Sequence, residues 1–159
     1  MKKTTVAICI LAMLLTFVGC QSSSNHRSLT VTPGESYTDF ENIEIRIVAP
    51  DGPENMSKPT LTVEWKNGSQ YDAIYGSGYL IERLEGENWV SCAMRDDLIW
   101  TAIAYNLDAG TVRSETYPLA DTFDISSPGQ YRFKSECYVH ESAEQSTKCE
   151  LVAEFTVGP

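Results

Sequence analysis

From Ile43 onward the chain alternates between apolar and polar residues with the period of a strand. In IEIRIVAP, Ile43, Ile45 and Ile47 alternate with Glu44, Arg46 and Val48; in TLTVEWKN, Leu61, Val63 and Trp65 alternate with Thr60, Thr62 and Glu64. Successive side chains of a strand point to opposite faces, so a period of two predicts a strand with one face buried. YGSGYLIERLEGENWVSCAM continues the pattern, with Tyr79, Ile81 and Arg83 set against Leu80, Glu82 and Leu84. Glu85-Gly86 marks a hairpin turn ahead of Trp89, so the segments on either side are expected to pair antiparallel. IWTAIAYNL reads as a strand from its β-branched and aromatic content, ended by Asp108, Ala109 and Gly110. TVRSETYPL is another, and QYRFKSECYV and KCELVAEFTV form a closing pair around HESAEQST. No segment carries a helical apolar stripe beyond about two turns, and turn signals recur roughly every 8 to 15 residues; together these predict an all-β antiparallel sandwich of seven or eight strands.

Ahead of this region the pattern changes twice. Met1-Lys2-Lys3 leads into an apolar run from Val6 to Val18 broken only by Thr16, and the run stops at Gly19-Cys20. It is shorter than the ~20 residues a membrane-spanning helix needs and matches a secretory signal peptide's apolar region of roughly 7 to 15. Val18-Gly19-Cys20 resembles the bacterial lipoprotein cleavage box, with Phe17 in place of the usual Leu. The resemblance implies cleavage before Cys20 and a lipid on its sulfur, palmitate among the acyl chains. Residues 1–19 are thus read as a lipoprotein signal peptide and residues 20–42, rich in Ser, Thr, Asn, Pro and Gly, as the lipidated cysteine and a flexible tether. Residues 43–159 are read as one domain, a length sufficient for a single core. Gln21 and Ser22 stand where a retention aspartate would lie, which implies the outer face of the cell membrane, or the outer membrane in a cell with two.

Charge narrows the partners. The 12 basic and 22 acidic residues give −10, and loss of Lys2 and Lys3 with the signal segment takes the chain to −12. No basic cluster remains to neutralise phosphates, so nucleic acid is excluded as a partner. Candidate chemistry is sparse. His26 and His140 are far apart, and Cys92, Cys137 and Cys149 lack metal-ligand spacing, so neither a metal nor another cofactor is implied. Asp96-Asp97 lacks the alternating acids of a calcium loop. Gly76-Ser77-Gly78 reads as a turn, not a nucleophile elbow. Asn55-Met56-Ser57 and Asn67-Gly68-Ser69 match a glycosylation pattern that carries little meaning in bacteria. Trp65, Trp89, Trp100, Tyr71, Tyr75, Tyr79 and Tyr105 are core in the simplest reading, or a groove for sugar or peptide if they project outward together.

The closing hairpin makes a sharper statement. Centring its turn at Ala143 sets Cys137 opposite Cys149, Ser135 opposite Leu151 and Phe133 opposite Ala153, so one register pairs both the cysteines and the apolar residues. Opposed Cα atoms in an antiparallel pair lie ~4.5 to 5.5 Å apart, within disulfide range. A Cys137–Cys149 disulfide with Cys92 left out is expected; the rival joins Cys92 to one of them across the sandwich.

The order TVEWKN, then YG, then YLIERLEGENW, then ISSPGQYRF resembles the bacterial immunoglobulin-like domain type carried on small extracellular lipoproteins. Asn67, Tyr75, Gly76, Trp89, Pro128, Gly129, Tyr131 and Arg132 carry the resemblance, which covers about Thr60 to Val157. It implies an immunoglobulin-like sandwich, Tyr75-Gly76 on a loop, and Tyr131 as a tyrosine corner whose phenol bonds back to the backbone, with Gly129 supplying the turn's unusual geometry. Phe133 stands where antibody domains carry an inter-sheet cysteine. Because such a family is defined by fold, function rests on the site. The expected function is a lipid-anchored surface module that binds a protein or glycan, or serves in structural display, without catalysis. The alternative is an extracellular hydrolase using carboxylates on the sandwich-end loops.

Overall fold

The alternation over β2 (Ile43–Val48) resolves as expected: Ile43, Ile45 and Ile47 are buried, Glu44 and Arg46 exposed. The computed structural model describes residues 30–48, 60–95, 101–123, 125 and 127–158. Among these, the other strands are β1 (Thr30–Thr38), β3 (Thr60–Asn67), β4 (Asp72–Gly76), β5 (Leu80–Glu85), β6 (Asn88–Ser91), β7 (Ala104–Leu107), β8 (Val112–Pro118), β9 (Gly129–His140) and β10 (Ser146–Gly158), with a single helical turn α1 (Leu119–Thr122) before β9.

The strands form two antiparallel sheets. One is ordered β2-β3-β8. The other is ordered β1-β10-β9-β4-β7, with β5 also on β9 and β6 on β5. The sheets close on each other through large rings. Trp65 of the small sheet stacks on Tyr75 of the large one with centroids 3.9 Å apart, Phe133 meets Trp65 edge-on at 6.3 Å, and Tyr79 stacks on Phe133 at 5.0 Å. All four are buried with Ile45, Val63, Ile81 and Leu151 in one continuous core. Offset and edge-on ring pairs of this kind add roughly 0.5–1.5 kcal/mol each beyond area burial.

Two strands exceed the eight legible in the pattern. β1 lies inside the segment read as tether, which corrects the boundary at 42: residues 30–38 are a strand paired along β10, from Thr30 opposite Gly158 to Thr38 opposite Leu151. Being an edge strand with side chains almost all exposed, it is held by the main-chain ladder and shows no alternation. A register shift between Pro33 and Ser36 marks a bulge. There a Cβ on Gly34 would lie 2.9 Å from the Glu154 carbonyl oxygen, so glycine permits the close approach. The second addition is β4, which carries Tyr75 and Gly76 in a strand where the resemblance implied a loop. The turn between β5 and β6 falls on Gly86-Glu87, with Gly86 at φ 65.

At one end of the sandwich Asn67 is fully buried and fully satisfied. Its amide nitrogen donates to the Tyr71 and Leu107 carbonyls at 2.8 and 2.9 Å, and its oxygen accepts from the Ser69 backbone N–H and hydroxyl at 3.0 and 2.7 Å. This end holds the turns 39–42, 68–71, 108–111 and 141–145. The opposite end holds Thr30, Gly158 and Gly129.

Candidate functional site

Odd-numbered residues of β9 from Tyr131 to Val139 point into the core, which sends Arg132, Lys134, Glu136 and Tyr138 to the outer face of the large sheet. The cross-strand register arranges that face in rows. Glu154, Arg132, Glu82 and Ser91 form one; Tyr37, Val152, Lys134 and Leu80 the next; Lys148, Tyr138, Ile74 and Asn106 the last. Between the second and last, Glu150 stands opposite Glu136, and the adjoining position is where β4 stops and β5 has not begun.

That break, Gly76-Ser77-Gly78, opens a concavity of about 410 Å³ lined by Gly76, Gly78, Leu80, Lys134, Glu136, Tyr138 and Glu150, with Tyr79 and Ser135 beneath. The Ser135 hydroxyl donates to the Gly78 carbonyl at 3.2 Å and holds the floor. Gly78 has no positive φ, and a Cβ there would meet nothing within 4 Å, so neither backbone conformation nor packing calls for glycine. Leu80 and Tyr138 flank the opening, 52% and 46% exposed. The opposed carboxylates are each neutralised by a lysine: Lys134 reaches Glu150 at 3.3 Å and Lys148 reaches Glu136 at 2.6 Å. The bond to Glu136 pushes the Lys148 pKa above its ordinary value. Beside the concavity, Arg132 pairs with Glu82 and stacks over Trp89 at 4.6 Å. At the other margin the Tyr37 phenol donates to Glu35 Oε2 at 2.6 Å, which pushes its pKa up to about 12.

Of the five edge strands among the described residues, four are guarded, β2 being the exception. β6 and β7 are four residues each, and β1 carries Pro33 and its bulge. β8 turns charges inward: Arg113 pairs with Glu115 at 2.7 Å and lies over the Tyr105 ring at 5.0 Å, while the Tyr75 phenol donates to Glu115 at 3.4 Å. Inward charges, short strands and proline all discourage addition of a further strand.

A family model described as Bacterial Ig-like domain matches residues 39–156. The chain belongs to the bacterial Ig-like domain family. Comparisons with curated proteins and with solved structures return no match.

In this Ig-like domain the residues singled out by sequence lie apart from the outer-face concavity. Cys137 and Cys149 are opposed, joined in a disulfide with Cα atoms 5.3 Å apart, and fully buried on the inner face. The Tyr131 phenol donates to the Ser127 carbonyl at 2.7 Å, four residues back across the corner before β9. Gly129 has no positive φ, which corrects the reason given for it: a Cβ would lie 3.3 Å from Arg83 Nε and 3.5 Å from the Tyr131 ring, so glycine leaves room for these two groups. Trp65, Tyr75 and Tyr79 are core, with Tyr71 and Tyr105 packed against it. Asn67, within a glycosylation pattern, is buried by its four hydrogen bonds. Cys20, His26, Asn55, Asp96, Asp97 and Trp100 lie outside the described residues. Among the described residues no group of three or more His, Cys, Asp or Glu is arranged to hold a metal ion. The concavity escaped the sequence reading because Gly76-Ser77-Gly78 reads as a turn until cross-strand register places Glu136, Tyr138 and Glu150 around it.

Proposed function

We propose that this Ig-like domain is held by a lipid on Cys20 at the outer face of the cell membrane, or at the outer membrane of a cell with two, and acts there by binding or structural display without catalysis. The observation that carries the reading is Val18-Gly19-Cys20 closing the apolar run, ten residues before β1 begins. Several acyl chains, each methylene contributing ~0.8 kcal/mol, make a stable anchor. Ten residues span at most about 35 Å, so the end of the sandwich bearing Thr30, Gly158 and Gly129 stands near the membrane. The turns 39–42, 68–71, 108–111 and 141–145 then face outward, and the outer face of the large sheet stands upright on the membrane. The acidic mature chain repels nucleic acid. Cys20→Ala is expected to abolish incorporation of labelled fatty acid and leave the precursor uncleaved. Wild-type protein that takes up no fatty acid and washes from envelopes with salt would contradict the reading.

A further inference from the structure

We propose that the concavity at the Gly76–Gly78 break binds a neutral saccharide, a sugar face resting on the Tyr138 ring and sugar hydroxyls donating to Glu136 and Glu150. The inference rests on the reading of this domain as an envelope binding module and names its ligand class. The concavity, about 410 Å³, is of a size at which small ligands bind, roughly 300–1,000 Å³. Gly78 is the first indication: nothing in backbone or packing calls for glycine, and the space its missing side chain leaves belongs to the concavity.

The lining selects the chemistry. Tyr138 and Leu80 offer apolar surface at the two ends, and the Tyr138 ring meets no other ring among the described residues. Between them the carboxylates of Glu136 and Glu150 face each other across the strands, each fixed by a single ammonium. An ionised carboxylate has about four acceptor positions, so each keeps most of its capacity for hydroxyl donors. Lys134 is the one cation in the lining, and Lys148 reaches Glu136 from beside it, so the two pairs balance in charge and neither an anion nor a cation finds an unpaired counter-charge there. A ligand with several hydroxyl donors, an apolar face and no charge meets these conditions, and a sugar ring has all three. An extended peptide is disfavoured, because β9 and β10 are interior strands and the break leaves open only the stretch of β9 between Lys134 and Cys137, too short to take an added strand.

The test uses the full chain purified in detergent, titrated calorimetrically with cellotetraose, maltotetraose, mannotetraose and chitotetraose, and with a sulfated heparin tetrasaccharide as the charged probe. At least one neutral probe should bind, and Gly78→Leu, which fills the concavity, and Tyr138→Ala should each weaken it by about tenfold or more. Both positions face solvent, so melting temperature should be retained; Val112→Ala, on the β8 edge, should bind as wild type. No binding of any neutral probe, binding of heparin alone, or binding indifferent to both variants overturns the proposal. A photo-crosslinking residue at position 80 in intact cells separates the two readings. A periodate-sensitive adduct supports the saccharide, whereas a polypeptide adduct overturns it and leaves the binding module in place. Wild-type protein that binds sugar but carries no fatty acid at Cys20 overturns the anchor alone.

Discussion

The side-chain amide of Asn67, on the small sheet, donates to the carbonyl of Leu107, on the large one, at 2.9 Å. This buried bond ties the sheets together at the end where the turns 68–71 and 108–111 meet, and the same amide group holds Tyr71 and Ser69. Asn67→Ala leaves buried carbonyls unpaired and opens a void. The expected cost is about 3 kcal/mol, since each orphaned buried group costs roughly 1–3. Denaturant unfolding checks it, and an unchanged midpoint would remove the clip from the account.

β1 makes a second prediction, because it contributes a ladder along β10 and little side-chain burial. A chain begun at Asn42 is expected to melt about 5 °C or more below one begun at Gln21, as a loss near 1 kcal/mol moves a domain of this size by several degrees. Equal melting temperatures would mean that the strand adds nothing to stability.

The disulfide closes a short loop across the last hairpin, with both sulfurs on the buried face. Replacing Cys137 and Cys149 together by Ala is expected to cost about 3 kcal/mol or somewhat less. Non-reducing peptide mapping of exported protein should join Cys137 to Cys149 and recover Cys92 as a thiol. A crosslinked peptide containing Cys92 would contradict the pairing.

Alkaline pH supplies a fourth test. Burial pushes the phenol pKa values of Tyr75, Tyr79 and Tyr117 above the ordinary value of 10.0. An unfolded chain loses these protons near pH 10 while the folded chain keeps them, so in that range the folded state binds more protons and stability falls as pH rises. The contribution is complete below pH 10 and is lost progressively toward the folded pKa values. Denaturation midpoints should therefore be flat between about pH 8 and 9.5 and drop above 10, and Tyr117→Phe should flatten the drop. A midpoint that holds level through about pH 11 would contradict the burial of these phenols.

Much of the fold was legible where one face of a strand is buried and the other wet. β2, β3, β9 and β10 alternate because Ile45, Trp65, Phe133 and Leu151 meet in one core while Glu44, Glu64, Arg132 and Glu150 face outward. The register that opposes Cys137 and Cys149 followed from the same alternation. β1 was illegible because an edge strand with a bulge at Pro33-Gly34 needs no apolar face, and β4 because DAIYG, with only Ala73 and Tyr75 buried, is too short to display a period. The role of Asn67 lay in a local signal, a serine two residues on that can bond back to the asparagine oxygen. The outer-face concavity joins residues from β4, β5, β9 and β10, and no linear pattern brings those together.

The most direct test of the account is the mass of the N-terminal peptide of the protein extracted from cell envelopes. Cys20 is expected as the first residue, carrying thioether-linked diacylglycerol. An unmodified N-terminus at Met1, or at any residue other than Cys20, would contradict it.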